Sequence, residues 1–553
     1  MSNGDGFSAL LDDLPRGRDT DDVGSIESAF FEYPENIAAA SSLRMDPRDN
    51  HQAKMFLGVV GADIRVDNQL PDGPFPRWAS GGIPIGVADD RHHFLLAGSR
   101  AGKGRSVLRP NLISLPRSTS VLVLDPKGDL AAMTARWRHQ GLGQDVAVTD
   151  PFDCSGASTR SYQSAFNAVD FVVGSHPDVL TANAMLVADA LVVENEHSKD
   201  PHWDESGRDW IGGLIAHVAT HTNYEGRRDL VTVWQLSSEA MQPLGDESQQ
   251  YALEAEMLQS DAAGGFVRAA AQSFYGRSGS EFFGVASNAR RHLGFIGVSA
   301  IQKVLRGPSV DPKKLKSGSL AWYVTSPAMR APLMRGCQRL VVQMTLAAFE
   351  EETVSTGNQS VFMLDEFQSL GRLRALETAI AQFAGLGANL MIVLQDLPQI
   401  KSAYPKSWQT FLGNAGVLQA FGGNDDETLS YLSKRLGETL VKTKSSSQPG
   451  VSHLMRESAT GSRFRISSKP LLTPAEIELY FARDDSKLRQ LILRPGFTKR
   501  FDKSARRGLV DKLLVLPPYE RHRVFEASTE KRNLAPEEVG KDFWFYWLVQ
   551  QLF

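Results

Sequence analysis

The sequence predicts an α/β protein in which a mostly parallel sheet is interrupted by an all-helical domain. From Phe94 to about residue 161, and again from 307 to 500, short β-branched runs bounded by Gly, Pro or Asp alternate with helix-length segments. Such alternation is typical of parallel strands that are joined by helices. The pattern changes between these stretches, because residues 162–306 have helical periodicity almost throughout. The α/β domain is therefore predicted to be split by an insertion.

Length sets the expected number of domains. A chain of 553 residues is too long for one compact core, so we expect two or three domains. We assign an acidic, partly disordered N-terminal arm, a lead-in segment, a split α/β domain, an all-α domain and a C-terminal tail: 1–50, 51–90, 91–161 with 307–500, 162–306, and 501–553.

Two segments near the C-terminus lack the alternating pattern. The stretch from Lys442 to Ser468 is rich in Ser and Gly and is basic, so we predict a mobile loop there. The chain ends in KDFWFYWLVQQLF, which is too short and too interrupted to span a bilayer. We expect this aromatic end to pack as a helix on this or another subunit.

Composition excludes several classes of protein. The chain is 42% hydrophobic and 22% charged, as in soluble globular proteins, and its net charge of −4 excludes a generally basic surface. Any nucleic-acid contact must then be local, for example in a lined channel. No signal peptide and no apolar run near 18 residues is evident, and Cys154 and Cys337 are far apart. These features predict a cytoplasmic protein without a transmembrane segment.

A glycine-rich loop follows the first strand of the α/β domain. The stretch FLLAGSRAGKGRS departs twice from the usual phosphate-binding pattern, with Ala97 in place of the first Gly and Gly104 in place of the magnesium-binding hydroxyl. Gly98, Gly102 and Lys103 nevertheless stand between a strand and a helix, where backbone N–H groups and a lysine can bind phosphates. A glycine-rich turn with an exposed lysine is the alternative interpretation.

Acidic and amide side chains follow two later strands. VFMLDEF is an apolar run that ends in Asp365 and Glu366, and NLMIVLQD ends in Gln395. In open α/β sheets ligands bind at the carboxyl ends of the strands. There Asp365 can hold magnesium, Glu366 can polarise the attacking water, and Gln395 can contact that water or the γ-phosphate. An acidic turn after a strand is the structural alternative, but the joint occurrence with the glycine-rich loop favours a nucleotide site.

The order of these motifs resembles the TraG-like coupling proteins of type IV secretion and conjugation. AGSRAGKG, VLVLDPKGDL, DPFD, LDEF, GLGANLMIVLQDLPQI and NAGVLQAFGGNDDETLSYLSKRLG carry the resemblance, which covers about residues 91–500. It implies a RecA-like P-loop ATPase domain interrupted by an all-α domain. It also implies a hexameric ATPase, related to the FtsK and HerA pumps, that moves DNA or delivers protein substrates to a secretion channel.

The resemblance also implies a role for each site residue. Lys103 would contact the β- and γ-phosphates of ATP, the backbone amides of Gly102, Gly104 and Arg105 would surround them, and Ser106 is the nearest hydroxyl for Mg²⁺. Asp365 becomes the magnesium carboxylate, Glu366 the catalytic base and Gln395 the sensor. The complete nucleotide-binding set comprises Gly98, Ser99, Arg100, Ala101, Gly102, Lys103, Gly104, Arg105 and Ser106.

Two departures from the family pattern affect the expected activity. Several members place an arginine that acts across the subunit interface where this chain has Ala384. Hydrolysis is then either slow or assisted by Arg372, Arg374 or Arg435 instead. The N-terminal membrane anchor typical of conjugative members is also not evident, so we expect a soluble member, peripheral at the inner membrane through partners, or a cytoplasmic DNA pump outside secretion.

Two classes of function remain open from the sequence. The first is an ATP-driven ring of subunits that moves single- or double-stranded DNA and is stimulated by it. The second is a recruitment module whose all-α domain and tail bind relaxosome or secretion-channel proteins, with nucleotide only gating assembly. A non-hydrolysing scaffold is a third hypothesis, and the intact Lys103, Asp365 and Glu366 argue against it.

Overall fold

The computed structural model describes residues 29, 31, 34–66, 77–193, 201–243, 250–307, 309–352, 359–445, 463–494 and 512–516. A nine-stranded sheet forms its centre. Its strands are β5 His92–Ala97, β6 Ser120–Asp125, β7 Asp145–Thr149, β8 Leu320–Thr325, β9 Ser360–Leu364, β10 Ala388–Leu394, β11 Ala415–Phe421, β14 Gln490–Arg494 and β15 Lys512–Leu516. Their order across the sheet is β15-β14-β11-β5-β10-β9-β6-β8-β7.

All neighbours from β11 to β7 run parallel, and β14 and β15 add antiparallel strands at one edge. The parallel strands are apolar on both faces because helices cover both sides of the sheet. In β6, for example, Leu122 and Leu124 contribute to one core, whereas Val121 and Val123 contribute to the other. The predicted fold class, an α/β domain with a mostly parallel sheet, is confirmed.

The helical region lies between two strands that are neighbours in the sheet, β7 and β8. Its helices pack around one continuous core that also contacts one face of the sheet. They are Pro177–Leu191, His202–Thr220, Leu230–Glu239, Ala252–Leu258, Phe266–Tyr275, Gly279–Leu293 and Ser299–Leu305.

The remaining helices connect the strands of the sheet or cover it. After β5 the chain forms a wide π-turn, Gly104–Leu108. The α-helices are Pro34–Ala39, Arg109–Ser114, Asp129–Arg136, Lys313–Ser317, Ala331–Glu351, Arg374–Gln382, Leu397–Ala403, Trp408–Gly413, Asp426–Leu436 and Pro474–Tyr480. Among helices in the described ranges, none has both the length and the apolar character needed to cross a membrane.

The segment before the sheet forms two small antiparallel pairs. β1 Met55–Val60 pairs with β4 Ile83–Val87, and β2 Asp63–Val66 pairs with β3 Arg77–Ser80. Asn111, in the helix after the glycine-rich loop, accepts from Phe56 N at 2.7 Å and donates to Phe56 O at 3.1 Å. These two bonds attach the lead-in segment to the loop helix.

The structure describes part of the predicted N-terminal arm and does not describe the aromatic C-terminal end. In the predicted arm, residues 34–50 pack against the lead-in strands, with Ile37 and Leu43 buried, whereas 1–28 are outside the described residues. The predicted aromatic helix at the C-terminus is also outside them.

The prediction of a loop from Lys442 to Ser468 is wrong at both ends. β12 Glu438–Ser445 pairs antiparallel with β13 Arg463–Pro470, so this region is a long hairpin. Backbone pairing between the two strands outweighs the Ser-rich composition on which the prediction was based. Residues 446–462 lie outside the described ranges.

Candidate functional site

The site residues are brought together at the carboxyl edge of the sheet. β10 lies between β5, which carries the glycine-rich loop, and β9, which carries the acidic pair. Because all three strands are parallel, the segments that follow them emerge at the same edge. Lys103, Asp365, Glu366 and Gln395 therefore meet although they are far apart in the sequence.

The backbone of the glycine-rich loop is shaped for anion binding. Arg100 has a φ of 58° and Gly102 a φ of 94°, so the chain turns twice through the left-handed region before the helix begins. Lys103 stands at the N-cap of the wide turn Gly104–Leu108, which continues into Arg109–Ser114. Amides at such a helix start carry a partial positive charge that favours phosphate.

A second glycine holds the loop in this shape. A Cβ added to Gly98 would lie 1.8 Å from the carbonyl oxygen of Gly422, and a Cβ added to Gly422 would lie 2.4 Å from Cβ of Ala101. Gly422, which follows β11, also donates to Phe481 O at 2.6 Å. The loop and the Gly422 turn therefore pack backbone against backbone. We did not predict this role for Gly422, although the FGG sequence after a strand is a signal for it.

Lys103 is paired with the acidic residues after β9. Its Nζ lies 2.7 Å from Oδ1 of Asp365 and 3.5 Å from Oε2 of Glu366. Burial raises the pKa of Asp365, and the Lys103 ammonium partly offsets that rise. The predicted lysine and carboxylates thus form one electrostatic cluster.

Glu366 has an unusual backbone conformation, and two amide side chains bond to its carboxylate. Its φ of 57° and ψ of 48° are left-handed, which is rare for a residue other than glycine and costs about 1–2 kcal/mol. Gln368 Nε2 donates to its carboxylate at 2.7 Å, and Gln395 Nε2 donates at 3.1 Å. Sequence reasoning missed Gln368, for which its position two residues after Glu366 is the only signal.

Gln395 is itself oriented by the next helix. Its backbone N–H donates to Oε1 of Gln399 at 3.0 Å, and Asp396 caps the helix Leu397–Ala403 by accepting from Gln399 N at 3.1 Å. The backbone of Gln395 is therefore fixed by local structure at the end of β10, as predicted, and its side chain contacts Glu366.

A third carboxyl group adds to the acidity of this edge. Asp125 ends β6, next to β9, and is buried. Burial raises its pKa to about 7; the Ala131 N–H bond opposes the rise, and nearby Asp365 adds to it. Carboxylate oxygens are the ligands preferred by Mg²⁺, and a divalent cation would favour the ionised form of both groups. The donor set at this edge therefore fits Mg²⁺.

Two residues of the predicted nucleotide-binding set are engaged elsewhere. The Ser106 hydroxyl donates to Gly102 O at 3.0 Å and the residue is buried, and its role as a magnesium ligand stays a prediction. The Arg105 amide also donates to Gly102 O, at 2.9 Å, and its contact with phosphate likewise stays a prediction. Both groups complete the first turn of the helix, while Ser99 and Arg100 remain exposed in the loop.

The arginines considered as replacements for an interface arginine lie on nearby elements. Arg372 forms an ion pair with Glu377 at 3.1 Å, Arg374 begins the helix Arg374–Gln382, and Arg435 is in the last turn of Asp426–Leu436. Ala384 lies in the short 3₁₀ turn Phe383–Leu386 that precedes β10.

Sequence comparison places the chain among proteins of conjugation. Residues 25–487 match the family described as "Type IV secretory system Conjugative DNA transfer". The chain is 27% identical over 435 residues to the conjugal transfer protein TraG of Rhizobium radiobacter, covering 76% of this chain and 65% of that protein. It is 26% identical over 415 residues to the protein VirD4 of Agrobacterium fabrum, covering 73% and 57%. The alignments thus span less than two thirds of these relatives.

Solved structures of a bacterial conjugative coupling protein share the fold. The unbound monoclinic form of TrwBdeltaN70 superimposes with a TM-score of 0.56 at 16% identity, covering 85% of this chain and 94% of that one. The complex of TrwB with ADP and Mg²⁺ gives a TM-score of 0.54 at 17% identity, covering 78% and 86%. At this level of identity the likeness establishes the fold.

Proposed function

The chain belongs to the type IV secretory system conjugative DNA transfer family, and from this premise we propose that it is an ATP-hydrolysing coupling protein. In this proposal it works as a ring of subunits that moves DNA toward a secretion channel. Its cofactors are ATP and Mg²⁺, and its partners are DNA and relaxosome or channel proteins at the inner membrane. The observation that carries the proposal is the cluster of Lys103, Asp365, Glu366 and Gln395 beside the glycine-rich loop.

Each group of the cluster has a role in phosphoryl transfer to water. The amides of Gly102, Lys103 and Gly104 bind the phosphates, and the Lys103 ammonium transfers from Asp365 to their oxygens. Bound Mg²⁺ supplies a positive charge that stabilises the transferring phosphoryl group. Asp365, once released from Lys103, would hold that cation through its carboxylate oxygens. TrwB, which has the same fold, has been solved with ADP and Mg²⁺, which supports these cofactors.

In this proposal Glu366 acts as the general base. The hydrogen bonds from Gln368 and Gln395 direct its carboxylate and leave it able to accept a proton from water. Because Gln395 touches Glu366 in the structure, it is also placed to respond when the terminal phosphate is lost. The sensor role that we predict for Gln395 rests on this contact.

The decisive experiment measures ATP turnover and particle mass together. We expect ATPase activity that rises on addition of single- or double-stranded DNA, with a hexameric mass under the same conditions. A monomer whose ATP turnover does not change on addition of either form of DNA would overturn the translocation proposal and favour the recruitment alternative.

Replacing Lys103 with alanine is expected to reduce ATP turnover by at least about 10²-fold, because one preorganised charge at the reacting phosphates is lost. A steady-state ATPase assay with a nucleotide-binding titration measures the effect. Lys127→Ala is the matched control, since Lys127 is an exposed lysine that follows β6, the next strand along the chain. Equal activity of Lys103→Ala and the wild type would contradict the assigned phosphate contact.

Gly104→Thr is expected to restore the hydroxyl of the usual phosphate-binding pattern. A Cβ at Gly104 would have nothing within 4 Å, so the side chain has room. We expect the Mg²⁺ concentration for half-maximal activity to fall about fivefold, as one added contact of about 1 kcal/mol predicts. Magnesium titration of Gly104→Thr beside Gly104→Ala tests this, and an unchanged requirement would place the metal away from residue 104.

A further inference from the structure

A short segment after the proposed general base is linked to the all-α domain through one buried arginine. After Glu366 the chain forms the 3₁₀ turn Phe367–Leu370 and continues to Arg372. We propose that Arg339, a buried arginine of the helix Ala331–Glu351, is a positioning residue that couples this segment to the all-α domain. The inference deepens the proposed function, on which it rests, by adding a route through which the all-α domain regulates ATP turnover.

One side of the Arg339 guanidinium holds the segment after Glu366. Its Nη1 donates to Leu370 O at 3.1 Å and also to Arg372 O. The same helix adds further bonds, because Arg335 Nε donates to Ser369 O at 2.9 Å and Ser369 Oγ donates to Gln338 at 3.2 Å. The segment that follows the general base is therefore attached to this helix mainly through backbone carbonyls.

The other side of the guanidinium holds the end of a helix in the all-α domain. Arg339 Nε donates to Ala190 O at 2.7 Å, and Nη2 donates to Asp189 O at 3.3 Å and Val192 O at 2.9 Å. These carbonyls belong to the last turn and C-cap of Pro177–Leu191, where a positive charge is favourable. Val193 also lies 3.9 Å from the position of a Cβ on Gly371.

A single rigid group therefore joins two separate elements. Arg339 is 2% exposed, and its planar guanidinium donates to five carbonyl oxygens on both elements. If the end of Pro177–Leu191 moves, these buried carbonyls lose a donor unless the guanidinium and the segment after Glu366 move as well. Glu366 has a left-handed backbone, a conformation that persists only where the surrounding structure imposes it. A movement of residues 367–372 would therefore also affect Glu366.

The coupling gives the all-α domain control over the general base. A cargo or partner that binds the all-α domain and shifts the end of Pro177–Leu191 changes the position of residues 367–372, and with it the Glu366 carboxylate. In the reverse direction, nucleotide bound at Lys103 and Glu366 changes the end of Pro177–Leu191. Both directions use the same guanidinium.

The test compares amide hydrogen exchange of the full chain with and without a non-hydrolysable ATP analogue and Mg²⁺. In the wild type we expect the analogue to slow exchange both at 366–372 and at 186–193. In Arg339→Lys, whose ammonium cannot reach both sets of carbonyls, we expect the protection at 186–193 to fall at least fivefold while the analogue still binds. We also expect kcat to fall about tenfold with KM within twofold.

Two matched controls separate coupling from loss of a buried contact. Arg138 is a fully buried arginine with three acceptors, Gln144, Leu112 and Thr119, none of which lies in 366–372 or 186–193. Gln343 joins the same pair of helices as Arg339 by donating to Leu186 O at 2.8 Å, without touching the segment after Glu366. Arg138→Lys and Gln343→Leu are expected to leave kcat within twofold of the wild type.

The outcomes distinguish the inference from the proposed function. Wild-type protein that binds no nucleotide overturns both. Nucleotide binding without protection at 186–193, or equal protection there in Arg339→Lys, overturns the coupling alone. If Arg339→Lys fails to fold, the double variant Arg335→Gln, Ser369→Ala loosens the same segment from the helix. Unchanged protection at 186–193 in that variant also overturns the coupling.

Discussion

Glu366→Gln is expected to bind ATP as the wild type does and to hydrolyse it about 10²–10⁴-fold more slowly, the usual contribution of a general base. The substitution keeps the size of the side chain and removes its ability to accept a proton from water. Lys103 retains Asp365 as its closer partner, so the shape of the phosphate loop should survive. Single-turnover hydrolysis together with a nucleotide-binding titration separates the two effects.

The control for this substitution is Glu478→Gln. Glu478 is exposed on the helix Pro474–Tyr480, so the same change of charge is made away from the site. We expect its turnover to equal that of the wild type. Retention of full activity by Glu366→Gln would remove Glu366 as the base and leave Asp365, with its raised pKa, as the group to test next.

Gly98→Ala is expected to abolish nucleotide binding, because the new Cβ would meet the Gly422 carbonyl oxygen at 1.8 Å. Neither partner can turn away, since the backbone of residue 98 fixes the position of the Cβ and the oxygen belongs to the backbone of Gly422. Overpacking in a core typically costs about 1–3 kcal/mol, and here the strain falls on the loop that surrounds the phosphates. We expect a lower melting temperature as well as the loss of binding, measured by thermal unfolding and by calorimetric titration with ATP and Mg²⁺.

Gly104→Ala provides the matched control within the same loop. A Cβ there meets nothing within 4 Å and the backbone is not left-handed, so we expect wild-type affinity and melting temperature. If both alanine variants bound ATP equally well, the contact between the loop and Gly422 would not be needed for nucleotide binding.

Most of the fold was predictable because its signals are local. Each strand of the parallel sheet is a short apolar run, and the sequence alone located β5, β9 and β10 with the polar residues that follow them. The insertion was predictable from a change of periodicity between 162 and 306. The hairpin of β12 and β13 was not, because its strands are stabilised by pairing with each other rather than by an apolar pattern.

The candidate site was predictable for residues whose side-chain chemistry suggests their role. It was not predictable for residues whose role depends on which atoms they contact in the folded chain. Lys103, Asp365, Glu366 and Gln395 each carry a chemical group at the end of a strand, and the structure brings them together. Ser106 was named from the family resemblance as the nearest hydroxyl, and in the structure that hydroxyl donates to Gly102 O. Gln368 was missed because an amide two residues after an acid is common in any turn.

The sequence by itself determined the parallel α/β class, the inserted helical region and the residue types of the candidate site, since these follow from periodicity and side-chain chemistry. Only the tertiary structure decided which of these groups meet. The order of strands placed β10 between β5 and β9, and close packing placed Gly422 against Gly98. The link through Arg339 uses backbone carbonyls as acceptors. Every residue has such a carbonyl, so no sequence pattern reveals which ones a buried guanidinium will contact.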